Sequence, residues 1–108
     1  MTSPTPDPGS ASVVRLDATI RGRVQGVGFR YYVLRRAMGL GLTGWVANES
    51  GGSVRCVAEG PREAAETLLA IMEHGPAGAL VERVDVIWSA ATATFRSFEI
   101  RSGGHSGD

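Results

Sequence analysis

A two-layer α+β sandwich is the fold class predicted by this sequence, with two helices on one face of a mainly antiparallel sheet. Three observations predict it. Apolar and polar residues alternate in several short segments, the period of a strand with one wet face. Two segments between them repeat their apolar residues at helical spacing. Glycine, proline or asparagine punctuates the boundaries. At 108 residues, 43% apolar and 20% charged, the chain has the make-up of one ordinary folded domain.

Val14, Leu16, Ala18 and Ile20 alternate with Arg15, Asp17, Thr19 and Arg21, which predicts the first strand. Gly22, Gly26 and Gly28 break that pattern and predict a loop. From Phe29 the period turns helical. Phe29, Val33, Ala37 and Leu40 share one face, and Gly39 and Gly41 close the helix. Residues 42–48 read as the second strand, Glu49-Ser50-Gly51-Gly52 as a hairpin turn, and Val54, Cys56 and Ala58 as the third strand. Gly60-Pro61 opens the second helix, with proline at the first helical position, where its missing N–H loses no partner. Glu63 and Glu66 suit the positive end of that helix's dipole. Ala65, Leu68, Leu69 and Met72 make its buried stripe, and Gly75-Pro76 ends it. Val84, Val86 and Trp88 alternate within 81–88 as a fourth strand, and 95–101 forms a further short C-terminal strand through Phe98 and Ile100. The βαββαβ order is the ferredoxin-like arrangement, which hosts many unrelated functions. Pro4, Pro6 and Pro8 predict a disordered N-terminal tail over 1–12, and Ser-Gly-Gly-His-Ser-Gly-Asp a flexible tail over 102–108, which leaves 13–101 as the domain.

Composition excludes several classes of function. Lys+Arg and Asp+Glu both number 11, and this zero formal charge argues against a general nucleic-acid binder. The longest apolar run, Leu68 to Met72, is far short of the roughly 20 residues that span a bilayer. The opening residues have neither a basic start nor an apolar stretch, so the expectation is a cytoplasmic protein, and a monomer. Every basic residue is arginine, which excludes Schiff-base lysines and P-loop phosphate binding. Cys56, the one cysteine, lies mid-strand on the apolar side and reads as a buried structural thiol. His74 ends a helix, His105 lies in the tail, and no spaced cluster of ligands predicts a metal or a cofactor. Glu49 and Glu59 are the one conceivable acid–base pair, but their places at a turn and a strand end fit decoration better. Trp45 and Trp88 read as core residues.

The segment Gly22-Arg23-Val24-Gln25-Gly26-Val27-Gly28-Phe29-Arg30 sets three glycines between a strand and a helix N-terminus. Glycine lets successive N–H groups turn toward one point, and a helix N-terminus adds its own donors, so the segment suits an anion. No acidic residue lies between Asp17 and Glu49, whereas Arg21, Arg23, Arg30, Arg35 and Arg36 do. The competing reading is a tight turn beside a solvated basic helix face. Asn48 closes Gly44-Trp45-Val46-Ala47-Asn48, either starting the turn or offering a rigid amide that can hold a water.

These two segments closely resemble the acylphosphatase family. The resemblance continues through Gly52-Ser53-Val54, Ala58-Glu59-Gly60-Pro61 and His74-Gly75-Pro76 to Ser97-Phe98-Glu99-Ile100-Arg101, so it covers about 14–101. Arg30 and Asn48 stand 18 residues apart, which fits the family's spacing of its functional pair. The resemblance implies hydrolysis of acyl phosphates to carboxylate and inorganic phosphate without a metal. It implies that Arg30 binds the phosphate and Asn48 positions the attacking water. The amides of Val24, Gln25, Gly26, Val27, Gly28, Phe29 and Arg30 would complete the phosphate cradle, and the substrate's own phosphate would take the proton. Gly51-Gly52 replaces the family's common Asp-Gly, which implies a looser hairpin without loss of activity. Two other readings are a non-catalytic anion-binding or interaction module on the same fold, and an RNA-recognition module. The second is disfavoured because Phe29, Tyr31 and Tyr32 fall at a helix start and not on central strands.

Overall fold

The elements follow in the order β1 (Val13–Arg23), α1 (Phe29–Gly39), β2 (Thr43–Asn48), β3 (Val54–Pro61), α2 (Arg62–His74), β4 (Leu80–Ala90) and β5 (Phe98–Arg101). They are those of a computed structural model that describes residues 12–102. Apart from Ser12 and Ser102, the expected tails lie outside the described residues. The sheet order is β4-β1-β3-β2-β5, antiparallel except for the β2–β5 pair. This is the ferredoxin-like sandwich, with the short last strand added at the β2 edge. No helix of the described residues is long and apolar enough to cross a membrane.

Strand periodicity decides what each face does. Leu16 pairs with Ala58 on one side and Trp88 on the other, and Ala18 with Cys56 and Val86. These side chains share the helix-covered face. Phe29, Val33 and Ala37 of α1 and Ala65, Leu68 and Met72 of α2 fill the space above them. Tyr32 donates its hydroxyl to the Ile71 carbonyl at 3.0 Å and so joins the two helices. Cys56 is fully buried, and burial, helped by the Asp17 charge, pushes its thiol far above the ordinary range. It is no nucleophile in the folded protein.

Some boundaries differ from expectation. Pro61 does not open α2. Its φ of −57° suits a helix, but its ψ of 141° keeps it extended, paired with Val13 as the last residue of β3 and the N-cap of α2. A strand's final residue tolerates a missing N–H as well as a helix's first. β4 is longer than its visible alternation, and β5 begins only at Phe98. The hairpin turn closes without the family's usual Asp. Gly52 N–H donates to the Glu49 carbonyl at 3.1 Å, and Glu49 N–H to the Ser53 carbonyl at 2.9 Å.

The two tryptophans part company. Trp88 packs against the core on the covered face, with the Arg62 guanidinium 4.3 Å from its ring centroid. Trp45 pairs with Val57 and Glu99, one residue out of phase with buried Val46, and therefore lies on the open face. There Arg55 and Arg101 stack on it at 5.6 and 5.3 Å.

Glu59 is more than a strand-end decoration. It is 3% exposed and accepts from Arg15 Nε at 2.8 Å, Thr92 N–H and Oγ1 at 2.9 Å, and Ala93 N–H at 3.0 Å. The carboxylate thus fastens the β4–β5 connection over the end of the sheet. Ala93 takes a φ of +59° there, a conformation that costs a non-glycine residue about 1 kcal/mol or more. Burial pushes the Glu59 carboxyl up, but the bonds from Thr92, Arg15 and Ala93 outweigh it and hold the pKa at about 2.

Because the folded pKa lies below the unfolded one, ionised Glu59 stabilises fully above about pH 4.5 and loses its effect as pH falls toward about 2. Glu59→Gln should cost about 1.5–3 kcal/mol at pH 7, the range for a bond to a charged group. Urea unfolding at stepped pH checks this: the gap between wild type and variant should narrow from pH 5 to pH 3.

Candidate functional site

Burial at two points shapes the loop between β1 and α1. Val24 is 1% exposed and Phe29 2%, so both ends are anchored in the core. Between them Gly26 and Gly28 are exposed, with φ of +76° and +78°. A Cβ at either position would meet nothing within 4 Å, so conformation and not space demands glycine. Left-handed residues spaced through a short loop turn its N–H groups inward as an anion nest. Gly22 sets the approach. The β1–β4 register slips between Arg21 and Gly22, and a Cβ there would overlap the Leu80 carbonyl oxygen. Such a bulge bends the strand and re-aims the chain that leaves it.

The start of α1 is built to leave donors available. Gly28 is its N-cap, no side chain caps it, and no acidic residue stands in its first turn. The Gly28 carbonyl accepts from Tyr32 N–H at 3.0 Å, so the helix begins properly without a side-chain cap. First-turn amides in that state attract an anion. Arg30, the second residue of α1, is half-buried beside them.

Asn48 ends β2, 9% exposed. It pairs with Val54, which pairs with Ile20, so it stands on the helix-covered side of the sheet. Among the described residues its side-chain amide makes no hydrogen bond. α1 packs against β2, which brings the Arg30 and Asn48 elements together. Glu49 turns the other way. It lines an open-face hollow with Trp45, Ala47, Asn48, Arg55, Arg101 and Ser102, and its carboxylate accepts from Ser53 Oγ at 2.9 Å. Glu59 lies at the far end of the sheet, opposite Thr43. Glu49 follows the last residue of β2 and Glu59 stands opposite its first, so the two glutamates lie at opposite ends of the strand and form no acid–base pair.

The sequence marks Gln25 only for its backbone amide in the cradle, not for its side chain. Its side chain reaches the hairpin, and Nε2 donates to the carbonyls of Glu49 at 2.7 Å and Ser53 at 2.9 Å. The only available hint is an amide within an otherwise apolar and glycine-rich loop.

Charge is unevenly partitioned. Arg15, Arg21, Arg55, Arg62, Arg83 and Arg101 each pair with a carboxylate. Arg23 and Arg35 have no acidic partner among the described residues, and Arg36 stacks on Tyr32 at 5.0 Å. Arg23 leads into the loop, and Arg35 and Arg36 line a hollow of about 250 Å³ with Gly28, Tyr31 and Tyr32. Arg96, in the β4–β5 connection, also has no carboxylate partner among the described residues, but Arg23, Arg35 and Arg36 lie around the loop.

A sequence model of the acylphosphatase family matches residues 16–100. An acylphosphatase of Salinibacter ruber is 55% identical over 87 residues, 81% of this chain and 92% of that protein. The crystal structure of acylphosphatase from Bacillus subtilis superposes with a TM-score of 0.79 at 34% identity, covering 82% of this chain and 98% of that one. Full-length HypF in its phosphate- and nucleotide-bound form matches 86% of this chain at TM-score 0.77 and 26% identity, which is 13% of the HypF chain.

Gly28→Ala should destabilise the fold by about 1–2 kcal/mol, the cost of a Cβ in the left-handed region. It should also distort the nest. In thermal melts with inorganic phosphate, wild type should gain Tm and Gly28→Ala should gain measurably less.

Proposed function

The chain belongs to the acylphosphatase family, and we propose that Arg30, Asn48 and the amides of 24–30 are the machinery of its activity. It is an acylphosphatase, a hydrolase that converts an acyl phosphate to a carboxylate and inorganic phosphate. The observation that carries the assignment of residues is the loop pinned by Val24 and Phe29, with an uncapped helix start and Arg30 beside it.

In this reading the phosphoryl oxygens sit in the loop amides. The Arg30 guanidinium makes two parallel bonds to them, a geometry an ammonium cannot match. The Asn48 amide orients a water. The water oxygen bonds to phosphorus as the bond from phosphorus to the acyl oxygen breaks. The carboxylate departs with the bonding electrons, and the water's proton passes to a phosphoryl oxygen of the substrate. A carboxylate is a good leaving group, so no strong acid is required. Positioning and charge stabilisation carry the reaction, as in other phosphoryl transfers. The proposal includes a metal-free, monomeric protein acting in the cytoplasm on small-molecule substrates, with no nucleic-acid partner. Self-paired charges on the open face, Asp17–Arg55 and Arg21–Asp85 among them, speak for the monomer.

Hydrolysis of benzoyl phosphate in EDTA tests the assignment. Wild-type turnover should resist the chelator. Arg30→Ala should lose at least roughly 10²–10³ in turnover, the scale for a charge-stabilising donor, and should bind phosphate more weakly. Asn48→Ala should lower kcat far more than it raises KM. Near-normal activity of Arg30→Ala overturns its role. A folded wild type that binds phosphate without turnover favours the binding-module reading.

Arg23, Arg35 and Arg36 near the loop also predict electrostatic steering. Wild-type kcat/KM should fall as ionic strength rises from about 10 to about 300 mM, and the slope should be shallower in Arg23→Gln/Arg35→Gln. Identical slopes would remove these arginines from the encounter.

A further inference from the structure

We infer that Gln25 is a positioning residue, whose side-chain amide fixes the separation between the anion loop and Asn48. The inference rests on the proposed roles of the loop and Asn48, and extends them to a group that touches neither substrate nor water.

The geometry is specific. The Gln25 carboxamide carries two N–H donors on one nitrogen, and that nitrogen meets two carbonyl oxygens, Glu49 at 2.7 Å and Ser53 at 2.9 Å. The two carbonyls close the β2–β3 hairpin. Glu49 comes directly after Asn48, and the Ser53 carbonyl also accepts from Glu49 N–H at 2.9 Å. Ser53 is 8% exposed, and both Gln25 bonds are partly buried, so water competes poorly for the two acceptors. Among the described residues, no backbone hydrogen bond joins 24–28 to 49–53. The amide is therefore the polar link between the segment that would hold phosphate and the residue beside the one that would hold water.

Such a link bears on rate more than on affinity. The phosphate is gripped by loop amides and Arg30, whose local shape comes from Val24, Phe29 and the glycines. The water is held from the other side of the link. If the hairpin drifts, the cradle stays intact but the water moves relative to phosphorus, and a displacement of about 1 Å can cost 10²-fold. No side chain other than Gln or Asn is both uncharged and equipped with two donors on one nitrogen. Glutamate would set a negative charge against two carbonyls.

The test uses the full chain and benzoyl phosphate. Gln25→Met keeps the length and removes the donors. Its kcat should fall roughly 10–100-fold, while the inhibition constant of inorganic phosphate stays within about threefold. In the Asn48→Ala background the same change should cost little more, because the water is already lost. Gln25→Asn, which keeps the donors but is one carbon shorter, should fall between wild type and Gln25→Met, and it serves if Gln25→Met does not fold. A lower Tm with unchanged kcat overturns the proposal and makes Gln25 a brace. So does an equal loss in both backgrounds, or a parallel loss of phosphate affinity. Failure of the underlying reading is visible separately, as unimpaired turnover by Arg30→Ala and Asn48→Ala.

Discussion

Burial of Val24 and Phe29 at the two ends of one short loop is the constraint on which the rest of the site depends. With Gly28 as its N-cap, the helix start gives up only about 0.3 kcal/mol relative to a capping side chain. Burying a phenylalanine contributes roughly 1.5–3 kcal/mol, which is enough to offset that loss. The core thus holds the loop in shape without a side-chain cap at the helix start. Gly26 and Gly28 complete the arrangement by entering the left-handed region without the penalty another residue would meet. Turning the hydrophobic stripe of α1 by one residue would bury Arg30 or expose Phe29, and the loop would lose its anchor.

Charge obeys the same division of labour. On the open face and at the far end of the sheet, cations meet carboxylates: Asp17 with Arg55, Asp85 with Arg21 and Arg83, Glu59 with Arg15. The exposed pairs contribute little to stability individually. Their larger effect is on the field. Acids are placed where they neutralise the sheet's arginines, so the neutral whole still presents a positive region at Arg23, Arg35 and Arg36. A protein of zero formal charge can attract an anion because its charges are sorted, not because it has an excess.

Most of this architecture is legible in the sequence, for a reason that also explains what is not. Period and punctuation mark burial and backbone conformation. They reveal β1, the stripe of Phe29, Val33 and Ala37, the glycine loop and the hairpin. Trp45 misleads because a large aromatic suggests core, whereas its phase relative to Val46 sets it under Arg55 and Arg101 on the open face. Pro61 misleads because the same φ serves a strand's end and a helix's start. Gln25 and Glu59 escape notice as structural centres because their partners include backbone groups. The carbonyls of Glu49 and Ser53, and the N–H groups of Thr92 and Ala93, carry no letter in a sequence. Only the topology, which brings the β2–β3 hairpin against the loop and the β4–β5 connection against β3, makes them partners. The Arg30 and Asn48 roles come from the resemblance, since one arginine and one asparagine have no periodicity to reveal them.

The two hydrogen-bonded centres solve different problems at opposite ends of one sheet. At the far end the Glu59 carboxylate accepts from Arg15 Nε, from Thr92 N–H and Oγ1, and from Ala93 N–H, which suits a closure. At the loop end the strong bonds of Gln25 join protein to protein, while no side chain of the described residues caps the start of α1. A reaction that expels a carboxylate asks for no strong acid, only for donors and a water held still. That makes rigidity between the parts the scarce quantity. A fold can meet it only by fixing the site through groups that the substrate does not need, and the Gln25 amide between two hairpin carbonyls is such a group.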